Sequence, residues 1–155
     1  YQGSLARMAM NTTIYDVLYD GDIEVPPYQV QVNGGEWLST IYPNKERYFN
    51  GEVDPPPYYS QYADFFHWDS REIHYVFDND TGRNLLIFAD SISDNMDELV
   101  ASHFDHTYVI DLRMVEEGFT FEEYIKDKNI TDVLFLNLSS TMLNAYPDYE
   151  KYFAE

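Results

Sequence analysis

From position 72 to 137 the chain alternates short apolar runs with amphipathic stretches, and this rhythm predicts most of its elements. Glu72–Phe77 reads as a strand, 78–82 as a turn, and Asn84–Ala89 (Asn-Leu-Leu-Ile-Phe-Ala) as a buried strand. Residues 94–104 read as a helix, with Met96, Leu99, Val100, His103 and Phe104 close to one face. Residues 107–112 form the next strand. Thr120 can cap a helix running to Lys128, with Glu123 three residues on as in a capping box. Residues 132–137 are another buried strand. Strand–helix–strand–helix–strand with apolar, non-alternating strands predicts right-handed crossovers and a parallel sheet.

Before residue 71 the periodicity is weaker. Residues 4–19 predict a short helix with Leu5, Met8, Ile14 and Leu18 as its apolar positions. Tyr28–Val32 alternates strictly, Asn33-Gly34-Gly35 is a hairpin signal, and 36–42 is the expected return strand. Asp54-Pro55-Pro56-Pro57 forces a stiff, extended stretch. The expected fold class is therefore α/β: a parallel three-layer core over 71–155, preceded by an irregular α+β subdomain or cap over 1–70.

Composition narrows the function classes. The 155 residues are 45% hydrophobic and 17% aromatic, with 15 Tyr and 10 Phe, enough apolar surface for a proper core. A net charge of −19, from 28 acidic and 9 basic residues, repels phosphate backbones and anionic head groups. Nucleic-acid and membrane-surface roles are not expected on that ground. The acidity reads either as a solubilising surface or as a cation site, but no loop has the spacing of a dedicated calcium site. Asp78-Asn79-Asp80-Thr81-Gly82 comes nearest and reads better as a turn. With no cysteine there are no disulfides, thiolate zinc sites or cysteine nucleophiles, and four histidines without paired spacing argue against zinc. No metal or cofactor is expected. No apolar run reaches the roughly 20 residues that span a bilayer, so no membrane insertion is expected. The chain begins at Tyr1 rather than Met, so a mature or trimmed product is expected, and any export signal would lie upstream. An extracellular or cell-surface location is expected.

In open parallel sheets, ligands bind beyond the carboxyl ends of the strands. Two such ends carry suitable side chains. Ser91, in Phe88-Ala89-Asp90-Ser91-Ile92-Ser93, lies between a strand and a helix whose positive end would face an oxyanion. Asn137, after Leu134-Phe135-Leu136, could donate to the same oxyanion. Equally, Ser91 or Ser93 could cap the helix and Asn137 close a turn, and spacing alone leaves both readings open. Asp64-Phe65-Phe66-His67-Trp68 has Asp-x-x-His spacing and would suit a dyad if it folds over the strand ends. The competing reading has its aromatics anchored in the core and His67 satisfied locally. His74 reads as a packed or solvent-facing strand residue, and His103 and His106 lie far from the strand carboxyl ends. Tyr58, Tyr59 and Tyr62 would either stack sugar rings or pack the subdomain.

Residues 84–137 resemble the SGNH hydrolase superfamily, whose first block is a strand followed by Gly-Asp-Ser; here the block is Ala89-Asp90-Ser91. More narrowly, the stretch from Leu85 through Asp111-Leu112-Arg113 to Thr131-Asp132-Val133-Leu134-Phe135 is similar to bacterial DHHW proteins. Those resemble the SGNH-type acetyltransferases of exopolysaccharide (alginate-like) modification. Tyr1-Gln2-Gly3-Ser4-Leu5 resembles a segment that follows the DHHW block in such proteins. The resemblance implies a three-layer, SGNH/flavodoxin-like core, Ser91 as nucleophile with its own N–H in the oxyanion hole, and Asn137 as a further oxyanion donor. The family's Gly-x-Asn-Asp is reduced here to Asn-Leu-Ser-Ser, and its upstream Asp–His pair has no counterpart block in this chain. No histidine follows His106, so Asp64 and His67 are the in-chain candidates for that pair. The function implied is a serine esterase or O-acetyltransferase acting on cell-surface carbohydrate, incomplete without its dyad. The alternative is a non-catalytic relative or fragment serving as an extracellular binding or structural module. A sheet edge or face left uncovered would favour a homo-oligomer.

Overall fold

The computed structural model describes residues 25–42, 66 and 69–137. The helix expected over 4–19, the proline run 54–57, Tyr58, Tyr59, Tyr62, Asp64 and His67 lie outside the described residues. Ile41, Tyr42 and Phe66 belong to one compact unit, in which the Phe66 ring stands edge-on to Tyr42 at 5.6 Å. Residues 25–40 and 69–137 belong to the other.

The second unit is built from β1 (Tyr28–Val32), β2 (Trp37–Leu38), β3 (Glu72–Phe77), β4 (Asn84–Ala89), α1 (Asp97–Ala101), β5 (His106–Asp111), α2 (Phe121–Asp127) and β6 (Asp132–Leu136). The strands form one sheet in the order β2-β1-β3-β5-β4-β6. It is a mixed sheet in an α/β fold, which corrects the expectation of an all-parallel core. β5, β4 and β6 are parallel. β3 is antiparallel to β5, and the β1–β2 hairpin continues the antiparallel half.

The cause is the short connection 78–83 between β3 and β4. A parallel crossover needs a dozen or more residues, so this loop instead arches over the start of β5. The Asp105 carboxylate holds it there, accepting the Thr81 N–H and hydroxyl at 2.8 Å each and the Gly82 N–H at 2.7 Å. The Asn79 amide donates to the carbonyls of Ser102 at 2.9 Å and Phe104 at 2.8 Å.

The hairpin signal is realised at the other edge. Asn33 and Gly34 both take positive φ, 51° and 70°, and the Gly35 N–H closes the turn on the Val32 carbonyl at 2.9 Å. Asn33 also bridges to the core sheet, with its Oδ1 accepting the Glu72 N–H at 3.0 Å. The return strand is only Trp37–Leu38, shorter than the expected 36–42, and both of its residues are exposed.

By strand alternation, one face of the sheet carries Leu86, Phe88, Tyr108 and Ile110, which pack with Leu112 and Phe121 into a buried cluster. The Phe88 and Phe121 ring centroids are 4.4 Å apart. The opposite face buries Ile73, Tyr75, Phe77, Leu85, Ile87 and Val109. The two helices depart from expectation. A 3-10 turn over Ser93–Asn95 precedes a five-residue α1, and the residues buried are Asp97 and Ala101, whereas Met96 and Leu99 are exposed. Thr120 precedes α2, but its side chain makes no cap hydrogen bond and its buried hydroxyl has no partner among the described residues, so the capping box does not form.

Candidate active site at the carboxyl ends of the parallel strands

β4 lies between β5 and β6, so the residue that leaves it emerges from the middle of the parallel part of the sheet. Ala89 is in register with Asp111 on β5 and with Leu136 on β6. One step beyond that row come Asp90, after β4, and Asn137, after β6. Ser91 follows Asp90 in a tight turn and is partly exposed.

The turn is organised by Asp90. Its Oδ1 accepts the Ile92 N–H at 3.1 Å, and its carbonyl accepts the Ser93 N–H at 2.9 Å. Both N–H groups after Ser91 are thereby consumed. Asp90 is 5% exposed, and an aspartate suits this position because its short side chain reaches the backbone two residues on. Because α1 is so short, its aligned peptide dipoles sum to little, and the helix-end field expected beside Ser91 is weak.

Beneath the turn, the buried Ser93 hydroxyl donates to Asp97 Oδ2 at 3.1 Å. Asp97 is fully buried, and its Oδ1 has no hydrogen-bond partner among the described residues. Burial pushes its carboxyl up to about 7, against the opposing pull of the Ser93 hydroxyl. Asp94 is pushed up to about 8, first by burial and then by the carboxylates of Asp97, Asp69, Asp111 and Asp90. Arg113 offsets part of this negative charge. Its Nε lies 2.9 and 3.0 Å from the two Asp111 oxygens, and its Nη2 donates to Asp111 and, at 3.0 Å, to Asp69. The guanidinium fork thus ties the end of β5 to the segment entering β3.

Asn137 is the other distinctive group. Both polar atoms of its side chain are buried, and neither has a hydrogen-bond partner among the described residues. Leaving a buried amide unmatched costs about 1–3 kcal/mol.

The four predicted site residues thus divide. Ser91 and Asn137 follow neighbouring strands at the same end of the sheet. Asp64 and His67 lie outside the described residues. The described histidines are remote: His106 begins β5 at the opposite end from Asp111, and His74 lies within β3. His74 stacks on Tyr108 at 4.1 Å, and its Nε2 is 3.1 Å from His106 Nδ1. Burial, then His106 and Lys128, lowers its pKa to about 4. Sequence reasoning missed the Asp94–Asp97–Asp111–Arg113 group. Its one legible signal is the Ser93/Asp97 pair, four residues apart and therefore on one face of a helical segment. No group of three or more His, Cys, Asp or Glu side chains among the described residues could hold a metal ion.

No family model matches the chain, and no curated protein does. Solved structures do. A DHHW family protein from Eubacterium siraeum superposes with a TM-score of 0.59 at 22% identity, over 85% of this chain and 42% of its own. PatB1 from Bacillus cereus superposes with a TM-score of 0.56 at 23% identity, over 77% of this chain and 37% of its own. The same protein with a sulfonyl adduct gives 0.55 at 23% identity, over 77% and 38%. The likeness is one of fold, and the chain spans less than half the length of these structures. Among the described residues, no helix is long and apolar enough to cross a membrane.

Proposed function

We propose that the chain forms part of an SGNH-like, three-layer domain for serine-dependent acyl transfer, an esterase or O-acetyltransferase for extracellular or cell-surface carbohydrate. The observation that carries this reading is the pairing of a serine turn after the middle parallel strand with the buried, unmatched amide of Asn137 after the adjacent strand. A preorganised donor without a partner is what an oxyanion site requires before substrate arrives. The fold shared with the DHHW family protein and with PatB1 supports it. So does the sulfonyl adduct of PatB1, since a sulfonyl group is attached through a nucleophilic atom.

In this reading the Ser91 Oγ attacks the acyl carbon while its proton passes to a histidine base. The oxyanion is held by the Ser91 N–H and Asn137 Nδ2, while the Ile92 and Ser93 N–H groups are committed to Asp90 and organise the turn. The leaving alkoxide takes the proton back from the base. A sugar hydroxyl, or water in an esterase, then releases the acyl group from Ser91 by the same steps in reverse order. The base is His67, oriented by Asp64, or a residue of a longer protein.

A second reading, a non-catalytic binding or structural module, is favoured by one observation: the described histidines all lie away from the strand ends that carry Ser91 and Asn137. Turnover of p-nitrophenyl acetate by the chain and by its Ser91→Ala variant separates the two. Acyl transfer at Ser91 predicts loss of turnover in the variant and an acetylated Ser91 detectable by mass spectrometry. Equal rates and no acylated serine would leave the binding module as the reading.

A further inference from the structure

Because β3 runs antiparallel to β5, the start of β3 lies beside the end of β5, at the same end of the sheet as Ser91. Glu72 is in register with Ile110, and the Asp111 N–H donates to the Arg71 carbonyl at 3.2 Å. A cavity of about 390 Å³ opens there, between β3, the loop leading into α2, and α2 itself. This volume lies within the usual range of about 300–1,000 Å³ for small-molecule clefts.

The lining has two chemistries. Phe119 and Tyr124 supply aromatic surface, their ring centroids 5.5 Å apart. The Tyr124 hydroxyl donates to Glu72 Oε2 at 2.7 Å, which fixes both the ring and the carboxylate. Glu116 and Glu117 stand at the cavity with Arg71, and Arg71 is already paired with Glu116. Three carboxylates against one guanidinium leave the cavity negative, within a chain whose net charge is −19. A ring with an apolar face suits the aromatic wall. Ammonium and hydroxyl donors suit the carboxylates, whereas a uronate or a phosphate would be repelled.

We infer that this cavity binds an amine-bearing pyranose, a glucosamine-type unit of the oligosaccharide that accepts the acyl group. β5 separates β3 from β4, so the strand that bounds the cavity and the strand that leads into the Ser91 turn are two spacings apart in the sheet, about 10 Å between their axes. That offset puts the bound unit a short way along the same glycan from the one presented at Ser91. The inference deepens the acyl-transfer reading by naming the acceptor class, and rests on that reading only for the unit's role as a subsite.

The test is a binding measurement on the chain carrying Ser91→Ala, which removes the nucleophile from the question. Isothermal titration compares a glucosamine tetramer, its fully N-acetylated counterpart and a galacturonate tetramer. The glucosamine tetramer is expected to bind, the N-acetylated form more weakly, and galacturonate not at all. Adding Glu116→Gln and Glu117→Gln, both at exposed positions, is expected to weaken glucosamine binding roughly five- to tenfold, with an unchanged thermal melt. Absence of glucosamine binding, equal affinity in the charge variant, or equal binding of galacturonate would each overturn the inference. Failure of acyl transfer at Ser91 would leave the binding result standing, so the two readings fail separately.

Discussion

Asp97→Asn should reverse the sign of its effect on stability between acid and alkaline pH. The Asp97 carboxyl is completely buried, hydrogen-bonded only on Oδ2, and raised from 3.8 to about 7. A folded-state value above the unfolded one means that the native protein binds the extra proton. The stabilisation is therefore complete below about pH 4 and is lost as pH rises through 7. By pH 8 the ionised side chain has cost the fold about 4 kcal/mol relative to acid. Asparagine is neutral throughout and keeps a carbonyl oxygen for the Ser93 hydroxyl. Its N–H groups occupy the place of the unmatched Oδ1, at a cost of about 1–3 kcal/mol. The variant should therefore be less stable than the parent at pH 4 and below, and more stable, by about 1–3 kcal/mol, at pH 8 to 8.5. Urea denaturation followed by circular dichroism measures this as an increase in midpoint of up to about 1 M at the alkaline end. Ser93→Ala serves as the internal control, because removing the hydroxyl takes away the one contact that lowers Asp97 and should steepen the alkaline loss. Parent and Asp97→Asn curves that run parallel from pH 5 to 8.5 would refute the reasoning, since the burial of that carboxyl would then carry no proton linkage.

His74 should have the opposite dependence. Its folded value of about 4 lies below the ordinary 6.5, so the unfolded chain takes up the proton first and stability falls as pH drops from 6.5 to 4. His74→Leu should flatten that acid limb in a thermal melt series, and an unchanged limb would show that the histidine pair does not report on folding. Asn137→Ala should leave stability unchanged or raise it by about 1 kcal/mol, because it removes a buried amide that has no partner among the described residues. If that amide serves the oxyanion, the same change should lower ester turnover by about 10²–10³-fold. A marked loss of stability with turnover intact would instead identify a purely structural asparagine.

The strands were legible because their chemistry is local. β4 and β5 are short apolar runs between polar breaks, and Asn33-Gly34 supplies the positive φ values that a tight hairpin needs. Strand direction was harder to read. Glu72–Phe77 looks alike whether it pairs parallel or antiparallel, and the deciding signal was the length of the connection 78–83, too short for a crossover. The α1 segment misled for an energetic reason. Met96 and Leu99 have the hydrophobicity of core residues, yet the Ser93–Asp97 hydrogen bond turns the other side of the segment inward and leaves them exposed at 44% and 39%. That Ser91 and Asn137 follow strands was readable from the apolar runs before them. The carboxylate group around Asp94 was not, since it comes together from the β4–α1 connection, the end of β5 and the segment before β3 only when the mixed sheet closes.

The antiparallel half of the sheet gives the proposed chemistry its layout. In an all-parallel sheet the start of β3 would lie at the opposite end from Ser91, and the cavity beside Glu72 and Tyr124 would face away from the serine turn. Reversing β3 brings Arg71 and Glu72 alongside Ile110 and Asp111, so the cavity and the turn lie at the same end of the sheet. The Arg113 fork, binding Asp111 and Asp69 together, fixes the junction between them. The carboxyls of Asp94 and Asp97, raised toward neutrality, keep the ground beneath the serine turn from carrying its full negative charge near pH 7. Two more full negative charges there would oppose an oxyanion forming above them. If Ser91 carries the proposed acyl transfer, the same elevation that makes Asp97 a stability liability at alkaline pH favours it at neutral pH, and ester turnover should fall above pH 8 with a dependence that Asp97→Asn moves.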